Sequence, residues 1–342
     1  MIKNIIDVDE AIGKMLCHDV TRIVAGCFKG AQFNKGHIIT EDDIKMLKSI
    51  GKYHVYVIEL DEDEVHEDEA GLRLARAAAD KGVGLRGPSE SRVNLISQRK
   101  GVLKVNTDIL KQVNALPDIV LSTLHRNTVV EENQMIAATK IIPLVIKEKI
   151  LQEAEKIMKE SPVVQVVPFH KKKVSIVVTG KEILDNKIRD GFTPVLAVKM
   201  QAFDAQILAT EFVADDERDI AEAILKQAAS GSEIIMVTGG MSVDPDDRTP
   251  MGVKKAGVEI IKYGSPVMPG AMFLLGYLGE IAVLGVPACS MYARVTVLDL
   301  IIPRIMAGQK LSKDDIEALA HGGLCRSCEV CHFPNCTFGM VI

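Results

Sequence analysis

Apolar runs of strand length alternate with amphipathic helical segments from residue 171 to about residue 310. VSIVV and EIIMV are short apolar runs that end in TG and TGG, and helical patterns such as DDERDIAEAILKQAAS lie between the strands. This alternation predicts an α/β fold, a three-layer doubly wound and mostly parallel sheet with helices on both faces. Ligands bind such sheets at the carboxyl ends of the strands.

The chain before residue 171 has a different pattern. An acidic run at 61–69 separates a small N-terminal α/β module (1–60) from a middle α/β segment (61–170). In the first module, Thr40 and Asp43 have capping-box spacing and Gly51 stops the helix, after which YHVYVIEL predicts a strand. In the second, helices are predicted at LRLARAAAD and KEKILQEAEKIMKE, strands at DIVLSTL and KIIPLVI, and a turn over 82–90.

The amino-acid composition and charge argue against several classes of function. The 342 residues are 47% hydrophobic and 25% charged, which is a globular balance, and the net charge of −5 offers no positive field for nucleic acid. The first ten residues carry acids where an export signal needs an apolar run, and the apolar stretch 263–279 is broken by Gly and Pro. We therefore expect a cytoplasmic protein that binds neither membrane nor nucleic acid, with a small polar or phosphorylated ligand.

The two glycine turns are candidate phosphate-binding loops. Thr179–Gly180 and Thr238–Gly240 end two strands, and glycine lets the backbone approach a ligand closely. Asp215 follows the strand between them, and Asp244, Asp246 and Asp247 follow the second turn. Carboxylates from two loops could hold a hydrated Mg²⁺ against a phosphate. The alternative is a pair of plain strand-to-helix turns with polar caps.

The stretches TGKEI and TGGMSVDPDDRTP, in this order and strand context, resemble the molybdopterin-binding domain of molybdopterin adenylyltransferases, molybdenum insertases and gephyrin. The resemblance covers about residues 172–308. It implies that Asp215 and Asp247 position magnesium for catalysis, and that a later Pro-Gly turn lies at Pro269–Gly270. The residues that it implies for the pterin-phosphate pocket are Thr179, Gly180, Glu182, Thr238, Gly239, Gly240, Ser242 and Asp247.

Two loops depart from the family pattern. Asp190-Gly191-Phe192 stands where the family has Asp-Ser-Asn, and Pro287-Ala288-Cys289-Ser290 stands where it has Pro-Gly-Asn-Pro. Each change removes a carboxamide side chain that could form hydrogen bonds with a pterin or a phosphate. Cys289, near a predicted helix start, is either a thiol of lowered pKa or a plain packed side chain.

Four cysteines crowd a tail at 311–342. Cys325, Cys328, Cys331 and Cys336 have the spacing C-x2-C-x2-C-x4-C, and four thiolates satisfy an iron–sulfur cluster, whereas structural zinc usually separates two knuckles by a longer loop. Zinc and a cluster of thiols or disulfides remain alternatives, and His321 or His332 could replace a cysteine.

The resemblance implies a protein that binds molybdopterin or adenylylated molybdopterin and assists molybdenum insertion or cofactor maturation. Molybdate would be its second ligand, a molybdoenzyme its recipient, and a homo-oligomer its expected assembly. The activity implied is that of a molybdopterin molybdenumtransferase-like transferase. Two alternatives remain: a non-catalytic molybdopterin carrier or redox or iron sensor, favoured by the two altered loops, and a nucleotide-phosphate hydrolase on the same fold.

Overall fold

The computed structural model describes residues 3–24, 28–58, 60–89, 91–185, 187–242, 244 and 247–340. The N-terminal module has its own small core, which includes Leu16, Leu47 and Val57. β1 pairs with β4 and β2 with β3, all antiparallel. The predicted capping box of α1 is confirmed, because Thr40 N donates to Asp43 Oδ2 at 2.8 Å. The elements are β1 (Lys3–Asp7), β2 (Val20–Val24), β3 (Phe28–Phe33), α1 (Glu41–Ser49) and β4 (His54–Ile58).

The middle segment packs α2 and α4 against short antiparallel sheets. The acids at 67–69 form the first turn of α2, where negative charge is favourable. The elements are β5 (Glu64–His66), α2 (Glu67–Ala78), β6 (Val83–Ser89), β7 (Arg92–Ser97), β8 (Gly101–Val105), α3 (Thr107–Asn114), β9 (Ile119–Thr123), β10 (Val129–Val130), β11 (Met135–Ile141), β12 (Val145–Lys147), α4 (Glu148–Glu160) and β13 (Val164–Pro168).

The turn predicted over 82–90 is wrong for most of its length, because residues 83–89 form the strand β6. The strand order β6-β7-β11-β9 puts β6 at an edge of its sheet. An edge strand tolerates proline and glycine because one row of its backbone groups has no ladder partner.

The third module is the predicted mostly parallel sheet, and its α/β class is confirmed. The strand order is β15-β14-β16-β19-β18-β17, in which the first four strands are parallel and β18 runs antiparallel to both of its neighbours, β19 and β17. The elements are β14 (Lys173–Thr179), α5 (Lys181–Leu184), α6 (Phe192–Gln201), β15 (Gln206–Val213), α7 (Glu217–Ala229), β16 (Ile234–Thr238), α8 (Thr249–Lys255), β17 (Glu259–Tyr263), β18 (Leu274–Leu278), β19 (Ile281–Val286), α9 (Val297–Met306) and α10 (Lys313–Glu317).

Separate cores cover the two faces of this sheet. Ile176 of β14 lies in a cluster with α6 and α9, whereas its neighbour Val177 lies in a cluster with α7 and α8. Successive strand residues point to opposite faces, so the two clusters make three layers.

Two predicted helices have different bounds. The helix predicted over 195–209 ends at Gln201, and the residues from Gln206 pair with β14 as β15, because that apolar run fits either period. The closing helix predicted from Ser290 begins at Val297, after a 3₁₀ turn.

The tail packs on the third module. Leu311, Ile316 and Phe338 belong to the same cluster as α9, and Cys325 N donates to Met268 O at 2.8 Å. The division into 1–60, 61–170, 171–310 and 311–342 stays a prediction. In the described part of the chain, no helix is long and apolar enough to cross a bilayer.

Candidate functional site

The two glycine turns touch at the carboxyl edge of the parallel strands. Gly239 has φ +84°, and a Cβ there would lie 2.5 Å from the carbonyl oxygen of Thr179. Only glycine allows this approach, because any side chain would push the two turns apart. The hydroxyl of Thr249 at the start of α8 donates to Gly239 O at 2.9 Å and holds the second turn in place.

Asp215 joins the same edge from the loop after β15. Its Oδ2 accepts from Lys181 N at 3.0 Å, and Gly180 N donates to Val213 O at 3.1 Å. The neighbouring Asp216 caps α7, and its hydrogen bonds from the first-turn amides lower its pKa. Segments near positions 180, 215 and 240 therefore lie together, as the parallel-strand prediction requires.

Three buried hydroxyls at this edge have no hydrogen-bond partner among the described residues. They belong to Thr193 at the start of α6, Thr238 at the end of β16, and Ser290 after β19. The loops of Thr193 and Ser290 are in contact, since a Cβ at Gly191 would lie 3.1 Å from Met291 Sδ. Buried polar groups are almost always hydrogen-bonded, so three orphans at one edge point to a polar ligand.

The remaining acids and Ser242 lie on loops near the edge. Glu182 Oε1 would lie 3.0 Å from a Cβ at Gly180, so this carboxylate folds back over the first turn. Asp247 Oδ2 accepts from Asp244 N at 3.2 Å, within its own loop, and Ser242 is exposed. Asp246 lies outside the described residues. No hydrogen bond in the described structure joins Asp247 to Asp215.

The Pro269–Gly270 turn contacts α9 instead of the glycine turns. Pro269 O accepts from Val297 N at 3.1 Å, and Pro269 lines a cavity of about 380 Å³ beneath the tail. This turn therefore connects the third module to the cysteine-rich tail.

All four tail cysteines line that cavity, together with Tyr292, Arg294 and His332. The tail is held over it by Arg294, whose Nη1 donates to Glu329 O at 3.1 Å. The four thiols are free, two of them exposed (Cys328 and Cys331) and two half-buried (Cys325 and Cys336). The spacing therefore places the cysteines around one cavity.

Neither predicted metal site is supported. In the described ranges, which include the four cysteines, Asp215 and Asp247, no three Cys, His, Asp or Glu side chains form a group that could hold a metal ion. A cluster or zinc needs four converging ligands, and magnesium needs oxygen ligands around one point.

The lowered pKa considered for Cys289 is wrong. Burial raises the pKa of this thiol, with an opposing contribution from a backbone hydrogen bond. A thiol that stays protonated is a poor nucleophile, so Cys289 acts as a packed side chain.

Sequence reasoning missed Thr193 and named Ser290 only as part of an altered loop. The missed signal was positional, since Thr193 lies in the first turn of α6 and Ser290 lies in the 3₁₀ turn after β19. Their lack of partners depends on side-chain packing, which no sequence pattern shows.

Comparisons with known families assign two parts of the chain. Residues 175–307 match the family described as "Probable molybdopterin binding domain", and residues 5–59 match a domain of unknown function. The third module thus matches the molybdopterin-binding domain family, which confirms the resemblance identified from the sequence for this part of the chain. No curated protein matches the chain.

Several solved structures are similar to parts of this chain. The protein CinA, of unknown function, from Thermoplasma acidophilum is 18% identical over 40% of this chain and 98% of its own, with a TM-score of 0.35. The molybdopterin biosynthesis enzyme MoaB from Thermus thermophilus is 16% identical over 40% and 98%, with a TM-score of 0.33. A molybdenum cofactor biosynthesis protein from Pyrococcus furiosus is 13% identical over 90% and 66%, with a TM-score of 0.27.

Proposed function

We propose that this protein binds molybdopterin, or adenylylated molybdopterin, at the carboxyl edge formed by the loops after β14, β15, β16 and β19. The observation that carries the proposal is the convergence of the two glycine turns and Asp215 at the edge that also holds three buried hydroxyls, for which the described part of the chain supplies no hydrogen-bond partner. The family match over residues 175–307 supports the choice of ligand.

The chemistry of the edge suits a pterin with a phosphate. Hydroxyl groups donate and accept, so Thr193, Thr238 and Ser290 can pair with either kind of atom on a heterocycle. Close approach at Gly239 keeps side chains out of the turn where a phosphate would lie. Asp215 has a positioning role, because it holds the first turn through Lys181 N.

The finer form of the proposal is that the bound cofactor precursor receives molybdenum from molybdate here and passes to a molybdoenzyme. The protein would then act as a molybdenumtransferase-like transferase in the cytoplasm, with Asp215 and Asp247 on the loops that flank the phosphate. No step is assigned to magnesium, iron–sulfur or zinc, because the described side chains do not fit these metals.

A non-catalytic carrier is the second candidate, and the 190–193 loop favours it. Asp190 Oδ1 accepts from Phe192 N at 2.7 Å and from Thr193 N at 3.2 Å. This carboxylate is therefore occupied in capping α6, and neither altered loop retains a carboxamide. Binding without turnover is the behaviour that such a loop favours.

The test of binding uses molybdopterin under anaerobic conditions, with the retained pterin measured by fluorescence after oxidation. Thr193→Val, Thr238→Val and Ser290→Ala each remove one hydroxyl. Since a net hydrogen bond contributes about 0.5–1.5 kcal/mol, each variant should weaken binding by about 2- to 12-fold. Ser175→Ala is the control, because Ser175 pairs with Ser232 at 2.7 Å at the amino-terminal end of the same sheet.

Turnover separates the two candidates. The full chain is incubated with adenylylated molybdopterin, molybdate and Mg²⁺, and formation of the molybdenum cofactor is measured. Cofactor formation that falls in Asp247→Asn supports the transferase, and binding without turnover supports the carrier. A preference for ordinary nucleotides, or equal binding by all three hydroxyl variants and the control, contradicts the proposal.

A further inference from the structure

Cations from two modules line one cavity of about 400 Å³ far from the glycine turns in sequence. Lys104 comes from β8 and Arg126 from the loop after β9, both in the middle segment, and Arg304 comes from α9 of the third module. The cavity therefore lies at the junction between two modules.

The contacts of Lys104 are neutral. Its Nζ donates to Gln309 Oε1 at 2.5 Å and to Asn127 Oδ1 at 3.0 Å, and the side chain lies between this cavity and an adjoining one of about 620 Å³. Among the described residues, this half-buried ammonium group has amide oxygens and no carboxylate as hydrogen-bond partners, so no direct ion pair neutralises its charge.

Among the residues that the structure describes, Arg304 is the one member of the three cations that has a salt-bridge partner. Arg304 is 5% exposed and pairs with Asp315, while its Nε donates to Gln309 Oε1 at 3.2 Å. The Nε of Arg126 is buried and has no hydrogen-bond partner among the described residues. A buried guanidinium donor without an acceptor costs free energy that a bound oxyanion would recover.

The other charged groups around Lys104 are acids at the rims. Asp314 is exposed on the rim of the first cavity, and Asp80 lines the adjoining one. Burial, with the nearby Arg304 charge, lowers the pKa of Lys104 to about 8, against an opposing effect of Asp315. Three cations thus face one paired and two peripheral carboxylates.

We propose that this junction is a binding site for a small dianionic oxyanion, of the phosphate or sulfate type, held by Lys104, Arg126 and Arg304. The two guanidinium groups supply planar paired donors and the ammonium group supplies a point charge. Because the three side chains belong to two modules, the anion also bridges those modules. This site is separate from the carboxyl edge that we propose for molybdopterin.

Sulfate is the probe, because it does not titrate between about pH 7 and about pH 9. Calorimetric titration of the full chain at constant ionic strength should show a single site. With a Lys104 pKa of about 8, the protonated fraction falls by about tenfold over that range, so sulfate affinity should fall by about tenfold. The sign follows because the anion favours the charged amine and raises its pKa.

Variants separate this site from general charge effects. Arg126→Gln should weaken sulfate binding, and Lys104→Met should weaken it and also remove the pH dependence. Lys226→Met is the matched control, because Lys226 is exposed and pairs with Glu211 on the surface. Molybdopterin binding should be unchanged in all three, so a failure here is distinguishable from a failure of the proposed function.

Proton uptake gives a readout that does not depend on the variants folding. At about pH 8.5, sulfate titrations in buffers of different ionisation enthalpy should show uptake of about 0.8 proton by the unmodified protein, because a Lys104 with a pKa of about 8 is about one quarter protonated before sulfate binds. No saturable heat with sulfate, binding equal to that of chloride, or an affinity that does not change with pH would overturn the proposal.

Discussion

The contact between the two glycine turns can be broken by a single methyl group. In Gly239→Ala, the new Cβ would lie 2.5 Å from Thr179 O and 2.6 Å from Thr179 Oγ1. Gly231→Ala is the matched control. Gly231 has φ +89°, almost the +84° of Gly239, but a Cβ there would have no atom within 4 Å.

The difference in stability between the two variants measures the free energy that the clash at the contact costs. An alanine held at positive φ costs about 1–2 kcal/mol, and both variants carry this cost. At Gly239 the clash with backbone adds about 1–3 kcal/mol, because the turn at Thr179 must shift. We therefore expect destabilisation of about 2–5 kcal/mol for Gly239→Ala and about 1–2 kcal/mol for Gly231→Ala.

Hydrogen exchange followed by mass spectrometry is the suitable assay, because it reads each module separately. Peptides that contain β14 and β16 should exchange much faster in Gly239→Ala than in Gly231→Ala, by about tenfold for each 1.4 kcal/mol. Peptides from α2 and α4, in the middle segment, serve as an internal reference. Molybdopterin binding should weaken in Gly239→Ala alone.

Two results would refute this reasoning. Equal exchange rates for β14 and β16 in the two variants would mean that the turns are not in contact. Normal molybdopterin affinity in a Gly239→Ala protein with disturbed exchange would mean that the contact exists but does not form the binding site.

Three further outcomes follow from the packing of the other modules. Arg73→Met should lower the stability of α4 by about 1–2 kcal/mol in hydrogen exchange, because the Arg73 guanidinium pairs with two α4 carboxylates at 2.7–2.8 Å. Arg76→Met is the control and should leave the stability of α4 unchanged, because Arg76 is exposed. Burial raises the pKa of Asp43, but hydrogen bonds from His37 and from Thr40 at the helix N-cap outweigh it and lower the pKa overall. The charged Asp43 therefore stabilises the fold, and α1 should lose exchange protection below about pH 4 in the native chain but not in Asp43→Asn. Phe338→Ala removes a ring that is 5% exposed, so it should release the tail and speed labelling of the half-buried Cys325 thiol; unchanged labelling would contradict the packing.

Local chemistry accounts for what the sequence predicts well. The capping box at Thr40 and Asp43 depends on residues three apart, and the strands of the third module depend on apolar runs that pairing on both sides keeps buried. The meeting of the two glycine turns with Asp215 follows from strand direction, since the ends of parallel strands share an edge.

The sequence-based predictions were wrong for segments whose residues are compatible with two kinds of secondary structure. Residues 83–89 contain two glycines and a proline, which favour a turn, yet they pair with β7 at the edge of a sheet. The run at 203–209 has apolar positions compatible with a helix or a strand, and its pairing with β14 decides the outcome. Both results depend on partners distant in the chain.

The cysteine spacing shows the limit of a motif. Four cysteines in twelve residues predict a common centre, and the structure does bring them to one cavity. Lining one cavity is not sufficient for metal binding, because the sulfur atoms must converge on a single point. The described side chains do not converge in this way. Spacing limits where thiols can lie, while backbone folding sets where they point.

The structure changes the interpretation of the two altered loops of the third module, at 190–192 and 287–290. Each lacks a carboxamide that the family pattern has, yet each carries a buried hydroxyl, at Thr193 directly after the first change and at Ser290 within the second. A hydroxyl donates and accepts as a carboxamide does, with a shorter reach and fewer donors. Had these loops lost their ligand, apolar or satisfied side chains would be expected at these positions, because an orphaned buried hydroxyl costs stability. The presence of these two hydroxyls therefore favours altered binding over lost binding at this edge.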